Sequence, residues 1–109
     1  MLIDFSKMEE QVIPQFLGGE GTFRTRMRVD ELGKIMRAAL EPGASIGLHT
    51  HETSSEMIYI LEGKGKVLYD GEYIPLAAGS CHYCPKGHSH SLINDSDALL
   101  TFFAVVPAQ

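Results

Sequence analysis

The chain has 109 residues, 44% apolar and 21% charged, which gives material for one modest core and leaves no room for a second catalytic domain. Nine Lys and Arg against fourteen Asp and Glu leave a net charge of -5, arguing against nucleic acid or an anionic membrane as partner and for a small soluble ligand. No apolar run approaches the ~20 residues of a membrane-crossing helix, and Met1 to Glu10 carries Asp4, Lys7, Glu9 and Glu10 where a signal peptide needs apolar residues, so a cytoplasmic protein is expected.

In chain order, Ser6-x-x-Glu9 is shaped like a capping box, with Pro14 able to end a single helical turn; an irregular arm is the equal alternative. Residues 1-21 are expected to pack as such an arm on a barrel formed by residues 22-109. From there, turn-forming glycines punctuate apolar runs of about five to eight residues, the rhythm of an all-β sandwich or barrel. The candidate strands are Thr22 to Val29, Lys34 to Leu40, Ser45 to His51, Glu56 to Glu62, Lys66 to Tyr69, Glu72 to Leu76, His82 to Cys84, His88 to Asn94 and Leu99 to Val106.

Arg24, Arg26 and Arg28 alternate with Phe23, Thr25, Met27 and Val29, which predicts a guanidinium row facing solvent or a second subunit; the alternative is a face lining the barrel mouth, apt for a carboxylate substrate. The same strand is the candidate sheet edge for a homodimer. Asp70-Gly71 sits between two apolar runs and predicts a two-residue hairpin turn, in which both residues take positive φ. Met36, Tyr59, Phe102 and Phe103 are expected in the core. Cys81-His82-Tyr83-Cys84 reads C-x-x-C without the helix or the second pair that redox or structural zinc chemistry needs, so both cysteines are expected as small packed hydrophobes. His82 is expected at the surface or an interface. There is no internal repeat and no Gly/Ser linker, hence no tethered output module.

All five histidines, His49, His51, His82, His88 and His90, fall within 42 consecutive residues, with Glu56 among them. Such clustering points to a metal. On a strand, His49 and His51 share a face with Thr50 turned away, giving two adjacent imidazoles. Glu56 opens the next apolar run, and His88 and His90 form a second alternate pair, of which one or both could reach the same ion. Imidazoles with a carboxylate make a borderline donor set, suited to Fe, Mn, Ni, Co or Zn.

Gly43-x5-His49-x-His51-x4-Glu56-x6-Gly63 resembles the first cupin motif, and Gly79-x5-Pro85-x-Gly87-x2-His90-x3-Asn94 resembles the second. The resemblance is to the small single-domain bacterial cupins and spans Gly43 to Asn94. It implies a cupin jelly-roll barrel (a double-stranded β-helix) holding one divalent transition metal per subunit, with His49, His51, Glu56 and His90 as ligands. His88 stands at a variable motif position and is the candidate acid-base residue, with a place on the rim as its alternative.

The resemblance further implies a metalloenzyme acting on a sugar or uronate, or on a hydroxy or keto acid, by isomerase-type or dioxygenase-type chemistry. The alternative is a non-catalytic module that binds a sugar or carboxylate. Glu56 argues against a thiol dioxygenase, whose matching position is usually not a glutamate. A homodimer is the expected assembly.

Overall fold

Short alternating runs of β-branched and aromatic residues, separated by turn formers, give ten strands in the computed structural model, which describes residues 1–109. They are β1 (Gln11–Pro14), β2 (Thr22–Asp30), β3 (Gly33–Leu40), β4 (His49–Thr50), β5 (Glu56–Glu62), β6 (Lys64–Tyr69), β7 (Glu72–Ala77), β8 (Cys81–Cys84), β9 (Ser89–Ile93) and β10 (Leu100–Pro107). One antiparallel sheet has the order β1-β2-β3-β10-β5-β8 and the other β4-β9-β6-β7. Their apolar faces oppose each other, giving the expected all-β jelly-roll. No helix is long and apolar enough to cross a membrane.

Alternation decides which face is buried. In β10, Leu100, Phe102, Ala104 and Val106 turn inward and meet Leu40, Ile58, Ile60 and Leu92. Phe23 stacks between Phe16 and Phe102, with ring centroids 4.8 and 6.3 Å away. Burying a Leu, Ile or Phe side chain stabilises by about 1.5–3 kcal/mol, so these rows supply most of the cohesion between the sheets. Asp70 and Gly71 take φ of 48° and 85° between β6 and β7, the expected hairpin turn.

The last strand pair is closed by a polar pin. Asn94 is fully buried; its Nδ2 donates to the carbonyls of Leu40 (2.9 Å), Ala98 (2.8 Å) and, more weakly, Glu41 (3.2 Å). Its Oδ1 accepts from the backbone N–H and hydroxyl of Ser96 at 3.1 and 2.7 Å. The motif asparagine is thus a fastener between β3, β9 and β10.

Several expectations are corrected. The capping box does not form: the turn is a 3-10 turn at Phe5–Lys7 capped by Asp4, whose side chain accepts from Ser6 N. Gln11–Pro14 is a strand rather than irregular arm, and it pairs with β2. β1 thereby covers Thr22–Thr25 of the expected edge strand, while Arg26–Val29 pair with β3 alone. The predicted strand Ser45 to His51 shrinks to His49–Thr50 because the Gly47 N–H is taken by the carbonyl of Phe16 at 3.0 Å, with the Gly47 backbone pressed against Leu17. Tyr59 points outward and is 44% exposed, and Cys81 is exposed, whereas Met36, Phe102 and Cys84 are buried as expected. The arginine row faces outward, with Arg24 paired to Glu10 and Glu41 at 3.0 and 3.3 Å.

Candidate metal centre

β4 and β9 pair with His49 opposite His90, so strand register alone brings two imidazoles together. His51 continues from β4 with its N–H bonded to the carbonyl of His88, and Glu56 begins β5 in the facing sheet. The structure thereby joins His49, His51, Glu56 and His90, whose ligand atoms all lie within 4.8 Å of one another. His90 Nε2 stands 2.9 Å from His51 Nε2, 3.1 Å from His49 Nε2 and 2.9 Å from Glu56 Oε1, and His51 Nε2 stands 3.1 Å from the same oxygen. Adjacent donors on a six-coordinate ion with bonds near 2.1 Å are separated by about 3.0 Å, the spacing seen here.

Proton accounting supports that fit. His49 Nδ1 must donate to the carbonyl of Gly47 at 2.7 Å, since a carbonyl can only accept, so the neutral ring presents a bare Nε2 to the cluster. His51 Nδ1 has the Ser54 hydroxyl at 2.7 Å, and His90 Nδ1 has His82 Nε2 at 3.0 Å. Each ring is thus held at one nitrogen and offers the other, as ligating histidines do. Four acceptor-capable atoms facing one another repel unless protons or a cation lie between them, and this borderline set of three nitrogens and an oxygen fits a divalent transition metal.

Burial opposes ionisation of Glu56, but with protons rather than a cation between the donors, hydrogen bonds and charge from His51 and His90 outweigh it and hold the carboxyl at about 2. Burial lowers His49, keeping its ring neutral and available as a ligand. His82 is pushed down to about 4, first by burial and then by the neighbouring His90.

His49, His51 and Glu56 border a cavity of about 100 Å³ whose other walls are Phe16, Leu17, Phe23, Met27, Lys34, Met36, Ile46 and Val106. Lys34 is its only Lys or Arg, and it forms no ion pair within the chain. His90 is 1% exposed and lies behind the lining.

The remaining histidines divide. His88 is not brought to the cluster: its Nδ1 faces Asp70 Oδ2 at 2.6 Å and the Tyr69 hydroxyl at 3.2 Å, and its ring stacks on Tyr69. His82, expected at the surface, is instead 7% exposed and touches His90. The signal was strand parity: in β8, His82 shares the inward face with Cys84, while Cys81 and Tyr83 point out. His82, Cys84 and His90 form a second group of donors within 4.8 Å, and burial pushes the Cys84 thiol up to about 11, keeping it neutral.

A cupin domain model matches residues 36–106. An oxalate-binding protein of Thermotoga maritima is 41% identical over 112 residues, covering 97% of this chain and 93% of that protein. Among solved structures, a predicted oxalate decarboxylase from Thermotoga maritima superposes with a TM-score of 0.93 at 30% identity, covering 100% of both chains. A sugar phosphate isomerase of the cupin superfamily from Silicibacter pomeroyi gives a TM-score of 0.81 at 24% identity over 100% of this chain and 76% of that one, a likeness of fold alone. With a family model over residues 36–106 and a relative of this similarity along nearly its whole length, the chain belongs to the cupin family.

Proposed function

We propose that His49, His51, Glu56 and His90 hold one divalent transition metal, and that the protein binds on it a small dicarboxylate of the oxalate class. The observation that carries this reading is the set of four converging donors beside a cavity of about 100 Å³ with a single unpaired lysine. Sites for drug-sized ligands run to roughly 300–1,000 Å³, so this one suits a few heavy atoms better than a sugar phosphate. A bound divalent ion would act as a Lewis acid toward a carboxylate oxygen. The likeness to an oxalate-binding protein supports the same ligand class.

The chain's own residues do the rest. Phe16, Phe23, Met27, Met36, Ile46 and Val106 exclude water from one side of the ligand and strengthen charge interactions within the cavity. Lys34 supplies a positive charge for the carboxylate directed away from the cluster. Apart from the cluster itself, Lys34 is the only titratable side chain in the lining, so the cavity offers recognition and little acid-base machinery. Capture of the ligand is accordingly preferred to its turnover.

The test is calorimetric titration of manganese-loaded protein with oxalate, with lactate and glucose 6-phosphate as comparisons. Binding of oxalate that disappears on chelation, weakens about tenfold in Lys34→Met at unchanged metal content, and yields neither formate nor carbon dioxide is the expected result. Metal-loaded protein that ignores oxalate would overturn the ligand class, and steady formate production would convert the binder into an enzyme.

A further inference from the structure

We infer that His82 is a positioning residue for His90: its Nε2 accepts the His90 Nδ1 proton and so keeps the His90 Nε2 lone pair turned toward His49, His51 and Glu56. The inference rests on the reading of that cluster as a metal centre.

His82 stands on β8, at the edge of the six-stranded sheet, and His90 on β9 of the four-stranded sheet, so their 3.0 Å contact spans the interior between the two layers. The two rings lie 5.2 Å apart at their centroids and are tilted by 37°. Tyr69 packs edge-on against His82 at 5.2 Å, which restrains that ring. Both histidines are buried, and no other protein group reaches His90 Nδ1.

Two proton arrangements are open to a neutral pair. With the proton on His90 Nδ1, it points at His82 Nε2, and the proton of His82 sits on its own Nδ1. That atom has no partner within the chain and is not fully buried, since Thr25 Oγ1 is the only fully buried side-chain polar atom left without one, so it stays open to solvent. In the reverse arrangement His82 Nε2 donates, and the proton of His90 moves to Nε2, where it occupies the lone pair the cluster needs. Only the first arrangement makes His90 a ligand.

The nature of the acceptor matters as well. Ligating histidines usually give their second N–H to a carboxylate, a carbonyl or water. An imidazole nitrogen is a stronger base than an amide oxygen and draws more on the shared proton, which enriches the opposite nitrogen as a donor. Cys84 Sγ also lies within 4.8 Å of both rings, but its one hydrogen bond is to the carbonyl of Pro85 at 4.0 Å, so it does not compete for the His90 Nδ1 proton.

Two measurements test this. In the zinc-loaded protein, nitrogen-15 NMR should show His90 Nδ1 protonated, His82 Nε2 bare and a coupling between them across the hydrogen bond. Zinc affinity, by chelator competition, should fall about 10–100-fold in His82→Leu, the usual loss for removing such a partner, and less in His82→Gln, whose amide oxygen can still accept. A protonated His82 Nε2 in zinc-loaded protein overturns the inference while leaving the metal centre standing, as does a folded His82→Leu of unchanged affinity. If the wild-type chain takes up no zinc, both readings fall. Should His82→Leu not fold, the wild-type spectrum decides.

Discussion

The strand β9 and the residue just beyond it carry two buried polar clusters of opposite character. At one end His90 faces two imidazoles and a carboxylate, and four residues on, about 13 Å along an extended chain, Asn94 faces carbonyls and Ser96. Both residues are at most 1% exposed. Around Asn94 every donor meets an acceptor, and the amide serves both senses at once. Around His90 the side facing the cluster holds two imidazole nitrogens and a carboxylate oxygen, all able to accept, and no group obliged to donate. The difference separates a polar group that fastens strands from one kept for a ligand: burial is the same, and only the matching of donors to acceptors tells them apart.

Adding a metal should produce the largest effect and would break the comparison if it failed. At a thousandfold excess over the dissociation constant, a ligand bound only by the folded state stabilises by about 4 kcal/mol. Manganese or cobalt is expected to raise the thermal midpoint of chelator-treated protein, and the His51→Ala, His90→Ala double variant should show no such rise. A rise of equal size in the double variant would place the ion elsewhere.

The other end of the strand should answer differently. Asn94→Ala takes the Nδ2 donor from the carbonyls of Leu40 and Ala98, leaving Ala98 only the Ser96 hydroxyl, and a buried group left unpaired costs about 1–3 kcal/mol. Roughly 3 kcal/mol of lost stability in urea unfolding is expected, with metal affinity in the folded fraction nearly unchanged. Loss of metal binding at full stability would reverse the roles assigned to the two clusters.

Much of this was legible beforehand because the signals are local. The i, i+2 pair His49 and His51, the Asp70-Gly71 turn and the inward rows of β3 and β10 each follow from strand parity or turn chemistry within a few residues. What escaped depends on partners distant in sequence. Gln11–Pro14 is mostly exposed and has no alternating pattern of its own, so only its pairing with β2 makes it a strand. Ser45 to Leu48 looks like a strand until Gly47 is seen pressed against Leu17. The parity of His82 with Cys84 was readable, but which face of β8 turns inward depends on its pairing with β5. The cavity walls come from segments throughout the chain, and no sequence window contains them.

Acid should sharpen the comparison further in metal-free protein. His82 titrates at about 4 when folded against an ordinary 6.5, so the unfolded chain binds its proton first and stability falls as the pH drops from 6.5 toward 4. Glu56, held at about 2 against an ordinary 4.5, adds a second loss as the pH falls from 4.5 toward 2. Urea unfolding across this range should show the slope, flattened between pH 6.5 and 4 in His82→Gln. Asn94 does not titrate, so Asn94→Ala should shift the whole curve down without changing its shape. A slope unaltered in His82→Gln would show that His82 binds its proton equally well folded and unfolded.

The smallest change is expected at His88, which shares its strand side with His90 in the sequence pattern yet stands apart in space. Its ring is braced by Asp70 and Tyr69 at the end of the β6–β7 hairpin, and it does not line the cavity. The pair with Asp70 is partly exposed on both sides, and such ion pairs contribute at most about 1 kcal/mol. His88→Asn should therefore cost under about 1 kcal/mol, keep its metal and hold oxalate within about twofold of the wild-type affinity. A tenfold loss of oxalate binding at full metal content would mean that the ligand extends from the cavity past His51 to the rim where His88 stands. The site would then take something larger than oxalate, since the apolar cavity ends before that residue begins.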